Sequence, residues 1–376
     1  MKDLRVYIHI PFCRQRCAYC DFVTYDDKSY LMDGYFKSLN TEIALYSPKL
    51  DKSNITSIFF GGGTPSYPDT KYIKAALSNL SKFNFTKDTE ITIEANPGTV
   101  DYDKLAEFRE AGINRISFGV QSFENDMLII MGRIHDRALA IRNIKDALKA
   151  GFTNISIDLM HGYPLQTEEG FRNSMKTAVE LGISHISCYS LNVGEDTPLQ
   201  NMLDKGLLPE IDDEKDRNMY KAALGYLPSK GFRHYEISNF ALPGFECKHN
   251  IGYWVLDEYL GVGAGAHSFM DERRFSNTGD LGTYIRSLNE FKIPEVYSET
   301  IEKTESISEY MILGLRLIDG INTEDFYKRY NQDIFSLFES EINECVEAGL
   351  LTSIGKRIKL TIKGLDFANK VFRKFI

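Results

Sequence analysis

The chain has 376 residues, of which 43% are hydrophobic and 12% aromatic, enough to bury a substantial core and form two or three domains. Its formal net charge of −9 excludes a general binder of phosphate backbones, which needs clustered Lys and Arg, so no nucleic acid partner is expected. No apolar run has the length of a membrane helix or of the apolar part of a signal peptide, and we expect a cytoplasmic protein.

Short apolar runs rich in β-branched residues alternate with amphipathic stretches through the first half of the chain. The runs predict six buried parallel strands, at residues 4–10, 55–60, 90–94, 115–119, 155–159 and 186–191. The stretches between them predict helices, among them residues 30–45, 104–110, 137–150 and 170–181. Alternation of strands and helices is typical of an α/β barrel.

A short motif recurs at three of the predicted joints between helix and strand. Gly112, Gly151 and Gly182 each stand four residues before an Ile-Ser pair. Glycine tolerates the left-handed backbone that ends many helices, so each is predicted to end a helix and lead into a strand. Because about six βα units are fewer than the eight of a closed barrel, we predict an open, partial TIM-like barrel. Functional residues are then expected at the carboxyl ends of its strands.

The pattern changes towards the C-terminus, and we divide the chain into residues 1–285 and 286–376. Helices are predicted around residues 311–318, 324–330 and 334–345, followed by a hairpin and a closing helix. This order predicts a smaller C-terminal helical domain that resembles a winged helix. Its acidic and basic residues are nearly balanced, so we expect a packing or partner-docking role and not DNA binding.

Three of the six cysteines, Cys13, Cys17 and Cys20, fall close together on a loop directly after the first predicted strand. Such grouping indicates a metal site, since so few cysteines do not form a disulfide framework. Thiolates are the usual ligands of iron-sulfur clusters, and three thiolates for four irons leave one iron open. The alternatives are buried free thiols or a zinc site completed by His9 or Cys247.

The C-x3-C-x2-C spacing, together with the segment "FFGGGTPS" at residues 59–66, resembles the radical S-adenosylmethionine (SAM) superfamily. This resemblance implies a 4Fe-4S cluster held by the three cysteines, with SAM bound at the open iron. Gly62, Gly63 and Thr64 would receive the amino group of SAM. A one-electron donor such as a flavodoxin or ferredoxin would reduce the cluster, and SAM would be cleaved to methionine and a 5′-deoxyadenosyl radical.

Further polar residues match the same superfamily in or just beyond successive strands. By this resemblance five side chains would contact SAM: Tyr7, Glu94, Gln121, Arg133 and Asp158. Arg133 would pair with the SAM carboxylate, because the planar guanidinium suits a carboxylate. Tyr19, inside the cysteine loop, is predicted either to pack on the adenine ring or to fill the core.

Over most of its length the sequence resembles the HemN/HemW group of this superfamily. The oxidase branch, oxygen-independent coproporphyrinogen III oxidase, carries a fourth cysteine two residues after the third, where this sequence has Phe22. That branch also has a long extension ahead of its cysteines, whereas this chain begins shortly before Cys13. Both departures disfavour the oxidase, which we keep as the alternative function.

The segment "CKHNIGYW" resembles a signature of the other branch, the heme chaperones. His249 is a candidate axial ligand of heme iron, while Tyr253 and Trp254 are candidates to cover the macrocycle. Cys247 is an alternative ligand, and a hydrogen-bonded structural role is the alternative for His249. The resemblance implies a protein that binds heme and passes it to an acceptor hemoprotein, which we expect to be membrane-associated.

Overall fold

The computed structural model describes residues 1–376, and its central feature is one twelve-stranded sheet. The strands of this sheet are β1 (Lys2–Ile10), β2 (Ser53–Gly62), β3 (Asn84–Ala95), β4 (Arg115–Gln121), β5 (Asn154–His161), β6 (His185–Ser190), β7 (Arg233–Glu236), β8 (Asn239–Ala241), β9 (Tyr259–Val262), β10 (His267–Met270), β11 (Arg273–Asn277) and β12 (Glu295–Thr300). A second sheet has three strands, β13 (Ile321–Asn322), β14 (Leu351–Ile354) and β15 (Arg357–Leu360).

Sixteen α-helices connect and cover these strands. The first ten are α1 (Met32–Leu45), α2 (Ser47–Leu50), α3 (Thr70–Leu80), α4 (Tyr102–Glu110), α5 (Asn125–Ile130), α6 (Arg137–Lys149), α7 (Glu168–Glu180), α8 (Pro198–Asp204), α9 (Asp213–Ser229) and α10 (Lys248–Trp254). The others are α11 (Leu281–Asn289), α12 (Lys303–Gly314), α13 (Thr323–Tyr330), α14 (Ile334–Glu347), α15 (Ile362–Asp366) and α16 (Ala368–Phe372). None of them combines the length and the apolar character that crossing a bilayer requires.

The first six strands pair in parallel and in chain order, from β1 to β6. This confirms the six βα units predicted from the sequence. The sheet does not close, because it ends in β12 on one side and β7 on the other. Six further strands extend it at both edges, and the periodicity of the sequence did not predict them.

The parallel strands have one apolar face and one polar face. On β4, Ile116 and Phe118 belong to the main hydrophobic core under the helices, while Arg115 and Ser117 line an internal cavity. This alternation is the two-residue period of a strand. The barrel therefore encloses a polar interior, and its apolar core lies between the sheet and the helices.

The three repeated glycines have the backbone conformation expected of helix ends. Gly112, Gly151 and Gly182 have positive φ angles of 99°, 91° and 73°, and each follows a helix and precedes a strand. The left-handed region is costly for residues with a Cβ atom. The predicted joint is thus confirmed at all three positions.

Helix α10 closes the amino-terminal end of the barrel. The backbone N–H groups of Lys248 and His249 donate to the buried carboxylate of Glu90 on β3, each at 3.1 Å. From the side, Ser57 on β2 is hydrogen-bonded to His249 Nδ1 at 2.8 Å. These contacts attach the helix to two strands of the barrel floor.

The helices and the small sheet of the C-terminal segment pack around a second hydrophobic core. It includes Met311, Phe326 and Ile342 from three successive helices, together with residues of the small sheet. Leu256 and Phe269, which come before the C-terminal segment, also belong to it. The predicted division at residue 285 stays a prediction, since β12 lies after it and still pairs with β11 in the large sheet.

Candidate cluster and cofactor site

The three clustered cysteines lie on a loop that leaves the carboxyl end of β1. Cys13 is buried, whereas Cys17 and Cys20 are partly exposed. Backbone hydrogen bonds hold the loop on two sides, from Ala18 N to Met131 O at 3.3 Å and from Leu199 N to Ala18 O at 2.8 Å. The loop is therefore fixed by the chain segments that follow α5 and begin α8.

Each of the three sulfur atoms has a polar neighbour, which for Cys20 Sγ is Thr24 Oγ1 at 4.0 Å. Thr64 Oγ1 donates to Cys13 Sγ at 3.4 Å, and Arg133 Nη1 donates to Cys17 Sγ at 3.1 Å. Hydrogen bonds to sulfur stabilise the thiolate form and tune iron-sulfur clusters. Burial raises the pKa of the Cys13 thiol to about 11, so binding of a metal must displace its proton.

The side chains around the cysteine loop do not form a site for a single metal ion. No three His, Cys, Asp or Glu side chains converge on one metal position. A tetrahedral zinc ion needs four donors around one point, whereas in a 4Fe-4S cluster each thiolate binds its own iron. His9 is engaged by Tyr7 and by Val23 O, at 3.0 and 2.8 Å, and Cys247 lies at the opposite end of the barrel beside α10. Neither supplies the fourth zinc ligand that the sequence left open.

A cavity of about 550 Å³ extends from the cysteine loop into the barrel, and this volume is typical of a ligand pocket. It brings together eight of the nine residues predicted to bind SAM: Tyr19, Gly62, Gly63, Thr64, Glu94, Gln121, Arg133 and Asp158. Tyr7 is not on its lining; its hydroxyl group is hydrogen-bonded to His9 Nδ1 at 3.0 Å.

The glycine-rich segment lies where only glycine fits. Gly62 has a φ angle of 110°, and a Cβ atom there would overlap the ring of His9. Its N–H group donates to Glu94 Oε2 at 3.2 Å. A Cβ atom at Gly63 would lie 2.9 Å from Ile10 O, so this residue also packs against the end of β1.

Arg133 lies between the cysteine loop and the cavity. Besides Cys17, its guanidinium donates to Asn96 Oδ1 at 2.6 Å and to Gly119 O. Its Nε atom is buried without a hydrogen-bond partner. One donor of this charged group thus has no acceptor within the protein.

Two partly buried carboxyl groups face the same cavity. Burial, with a further contribution from Asp158, raises the pKa of Glu94 to about 8, so that it is protonated at neutral pH. Burial also raises the pKa of Asp158, which accepts a hydrogen bond from Ser117 Oγ at 3.2 Å. A protonated carboxyl beside an ionisable one offers both a donor and an acceptor, the combination that sugar hydroxyl groups use.

Several lining residues were missed by the sequence reasoning, among them Asn96, Arg115, Ser117 and Tyr189. Asn96 lies two residues after Glu94 in the same segment, and Ser117 alternates with apolar residues along β4. Polar residues at every second position of a predicted buried strand indicate a polar face, and this pattern could have identified such residues as cavity-lining.

Of the signature residues, Asn250 lines the cavity, whereas His249, Tyr253 and Trp254 do not. His249 is 1% exposed, and its ring nitrogens are hydrogen-bonded to Ser57 Oγ and to Tyr253 OH at 2.8 and 2.9 Å. Its ring also stacks on Phe59, with centroids 5.1 Å apart. Trp254 lies beneath the guanidinium of Arg316, 4.3 Å from the ring centroid. This is the hydrogen-bonded structural arrangement, so heme ligation by His249 stays a prediction that requires one of its bonds to open.

Comparison with known proteins places this geometry in a family. Residues 7–178 match the model of the Radical SAM superfamily, and residues 301–367 match that of the HemN C-terminal domain. The chain is 37% identical to the heme chaperone HemW of Bacillus subtilis (strain 168), over 98% of this chain and 98% of that protein. The chain belongs to the HemW family of radical SAM proteins. A HemW of Escherichia coli (strain K12) is 32% identical, over 100% of this chain and 99% of the relative.

The HemW family assignment agrees with the fold. The solved structure of coproporphyrinogen III oxidase (HemN) from Escherichia coli superimposes with a TM-score of 0.87 at 23% identity, covering 100% of this chain and 90% of that one. This likeness confirms the open barrel with its smaller C-terminal part. Since the two full-length relatives are HemW proteins, the oxidase alternative is not favoured. Membership of the radical SAM superfamily implies a 4Fe-4S cluster and SAM.

Proposed function

We propose that this HemW-family protein binds heme and delivers it to an acceptor hemoprotein, with a 4Fe-4S cluster and SAM held in the barrel cavity. The observation that carries the cofactor part is the convergence of three thiols and eight predicted SAM-binding residues on one cavity. The heme part is supported by the full-length similarity to heme chaperones. Phe22, at the position of the oxidase's fourth cysteine, is 65% exposed and has no thiol to offer.

The roles follow from the contacts of each side chain. Cys13, Cys17 and Cys20 would hold the cluster, and Arg133 would bind the SAM carboxylate through its unpartnered Nε atom. The chemistry that the bound pair supplies is one-electron cleavage of a carbon-sulfur bond of SAM. Because Arg133 also donates to Cys17, it would hold the carboxylate next to the cysteine loop.

The other residues position the ligand by hydrogen bonding and limit its access to water. Glu94 and Asp158 would bind the ribose hydroxyl groups from the strand ends. A small apolar cluster that includes Met127, Met131 and Tyr163 packs beside Tyr19. Such a shell excludes water from one side of the loop, which protects a reactive intermediate.

Two protein partners complete the proposal. A one-electron donor of the flavodoxin or ferredoxin type would approach the cysteine loop, where Arg14, Gln15 and Arg16 are exposed. The acceptor would be a membrane-associated hemoprotein. Support for the acceptor comes from the family resemblance alone.

Heme titration of the anaerobically reconstituted protein tests the function. We expect saturable binding of heme, followed by transfer when an apo-hemoprotein is added, both measured by visible absorbance. The same preparation, given reductant, SAM and coproporphyrinogen III, is expected to form no protoporphyrinogen. Absence of heme binding, or production of protoporphyrinogen, would overturn the proposal.

A further inference from the structure

A large charged side chain lies unpartnered inside the barrel. Arg115, the first residue of β4, is only 2% exposed and lines the cavity. Its Nε atom has no hydrogen-bond partner, and no ion pair involves its guanidinium. Arginine presents five donors in a planar fork, and leaving such a group buried without an acceptor is costly.

The carboxylates nearest to Arg115 are occupied by other donors. Glu90 accepts from the backbone N–H groups of Lys248 and His249 at the start of α10. Asp158 accepts from Ser117. Burial opposes the charged form of Arg115, but nearby acidic groups outweigh it and raise the pKa, so the guanidinium keeps its charge. The charge is thus balanced at a distance, and the fork itself remains free.

The surrounding wall offers further donors and lies away from the cysteine loop. Ser117, Ser187 and Asn250 line the same cavity, and Asn250 belongs to α10, which closes the amino-terminal end of the barrel. Arg133, the candidate partner of the SAM carboxylate, lies at the opposite end beside Cys17. The cavity therefore has one arginine near each end.

We propose that Arg115 forms a carboxylate-binding subsite at the closed end of this cavity, with hydroxyl and amide donors from the surrounding wall. Arginine matches a carboxylate with two parallel hydrogen bonds, and a buried site strengthens them. The carboxylate comes either from a free small molecule or from a propionate side chain of heme. The second source rests on the proposed function.

Propionate is the probe for the subsite itself, in full-length reconstituted protein with SAM bound. We expect propionate to raise the midpoint of thermal unfolding saturably, whereas neutral propionamide leaves it unchanged. Arg115→Gln is expected to abolish the shift, and the control Arg142→Gln, which changes an exposed arginine of α6 outside the cavity, is expected to retain it. An equal shift in Arg115→Gln, or none in the unaltered protein, would overturn the subsite.

Two further experiments distinguish heme from a free carboxylate as the ligand and control for misfolding of the Arg115 variant. If the carboxylate belongs to heme, heme dimethyl ester binds about tenfold more weakly than heme, and Arg115→Gln removes this difference. Equal binding of heme and ester, with the propionate shift intact, assigns the subsite to a free carboxylate. Arg115→Lys keeps the charge without the fork, so it preserves the circular dichroism spectrum and weakens the propionate shift. Loss of heme binding alone would contradict the proposed function and leave the propionate result standing.

Discussion

The chemistry of the cavity depends on a few charged side chains that are shielded from water. Arg133 and Arg115 provide fixed positive charge near its two ends. Glu94 on β3 and Asp158 on β5 line the same wall on either side of β4. A buried carboxyl next to another favours its neutral form, because desolvation and like charge act in the same direction. The cavity is therefore built to bind a polar ligand with both acidic and hydroxyl groups.

The partly buried carboxyl of Glu94 predicts a pH-dependent stability. Its ordinary pKa of 4.5 applies to the unfolded chain, and its pKa in the folded chain is about 8. Between these values the folded chain holds a proton that the unfolded chain has released, so stability falls as pH rises through this window. Glu94→Gln should remove up to about 1.4 kcal/mol per pH unit of this fall.

Urea unfolding at several pH values within that window measures the effect of Glu94→Gln. The exposed Glu339 on α14 provides the control, and Glu339→Gln should leave the slope of the unaltered protein unchanged. A steeper fall in Glu94→Gln would contradict the expectation.

The cysteine loop predicts separable effects on cluster and fold. Cys17 belongs to neither large hydrophobic core, so Cys17→Ala should lose the iron and the visible absorbance while unfolding at the same urea concentration. Cys345 lies in the C-terminal core, and Cys345→Ala should keep the iron but lose about 1–2 kcal/mol of stability. Iron analysis and urea unfolding check both, and retention of iron in Cys17→Ala would argue against its role.

The hydrogen bond between His249 and Tyr253 predicts opposite effects on heme binding. If His249 binds heme iron, the Tyr253 hydroxyl competes for its Nε2 atom, because the two lie 2.9 Å apart. Tyr253→Phe should then strengthen heme binding, and His249→Ala should weaken it and change the heme absorbance. Unchanged spectra and affinities in both variants would leave His249 with a structural role.

At the scale of elements, the short helix α10 acts as the floor of the barrel. Its first backbone N–H groups, which have no partner within a helix, are satisfied by Glu90. Its Gly252 packs against Arg5 of β1, whose Nη1 atom forms an ion pair with Asp257 at 2.6 Å. The close packing of α10 on β1 thus depends on the absence of a side chain at Gly252.

Two glycine-to-alanine changes in helices should therefore have opposite signs. A Cβ atom at Gly252 would overlap the Arg5 side chain, so Gly252→Ala should cost about 1–3 kcal/mol. A Cβ atom at Gly225 of α9 would meet no atom within 4 Å, and Gly225→Ala should add about 0.5–1 kcal/mol through its better helix propensity. Urea unfolding measures both, and a neutral Gly252→Ala would show that Arg5 moves aside freely.

At the scale of the whole molecule, α10 also connects the barrel to the C-terminal core. The guanidinium of Arg329 on α13 donates to Val255 O and Leu256 O, just after α10, at 3.0 and 2.6 Å. Arg316 lies over the ring of Trp254 at the end of the same helix. The signature segment thus contacts both the barrel and the C-terminal core. A shift of the C-terminal helices would therefore act directly on α10.

Adjacent cations on α13 test this connection. Arg329→Met leaves two carbonyl groups without their donor and should cost about 1–3 kcal/mol. Lys328→Met removes only an exposed ion pair with Asp325 and should cost less than about 1 kcal/mol. Urea unfolding of the two variants decides the matter, since equal losses would mean that the Arg329 contacts add nothing to stability.

The sequence by itself determined the cysteine loop, the six parallel strands and their helices, and hence the family. These features depend on spacing between neighbouring residues and on periodicity, which are local properties of the chain. The alternation of polar and apolar residues along β3 and β4 is visible in the sequence as well.

Only the tertiary structure decided which residues meet inside the barrel. Ser57 reaches His249 from 192 positions away, and Glu90 reaches the same residue from 159. Such contacts leave no periodic signal in the chain, because they depend on how the strands curve around a common interior. For the same reason, no local pattern marks Arg115 as a charge without a partner.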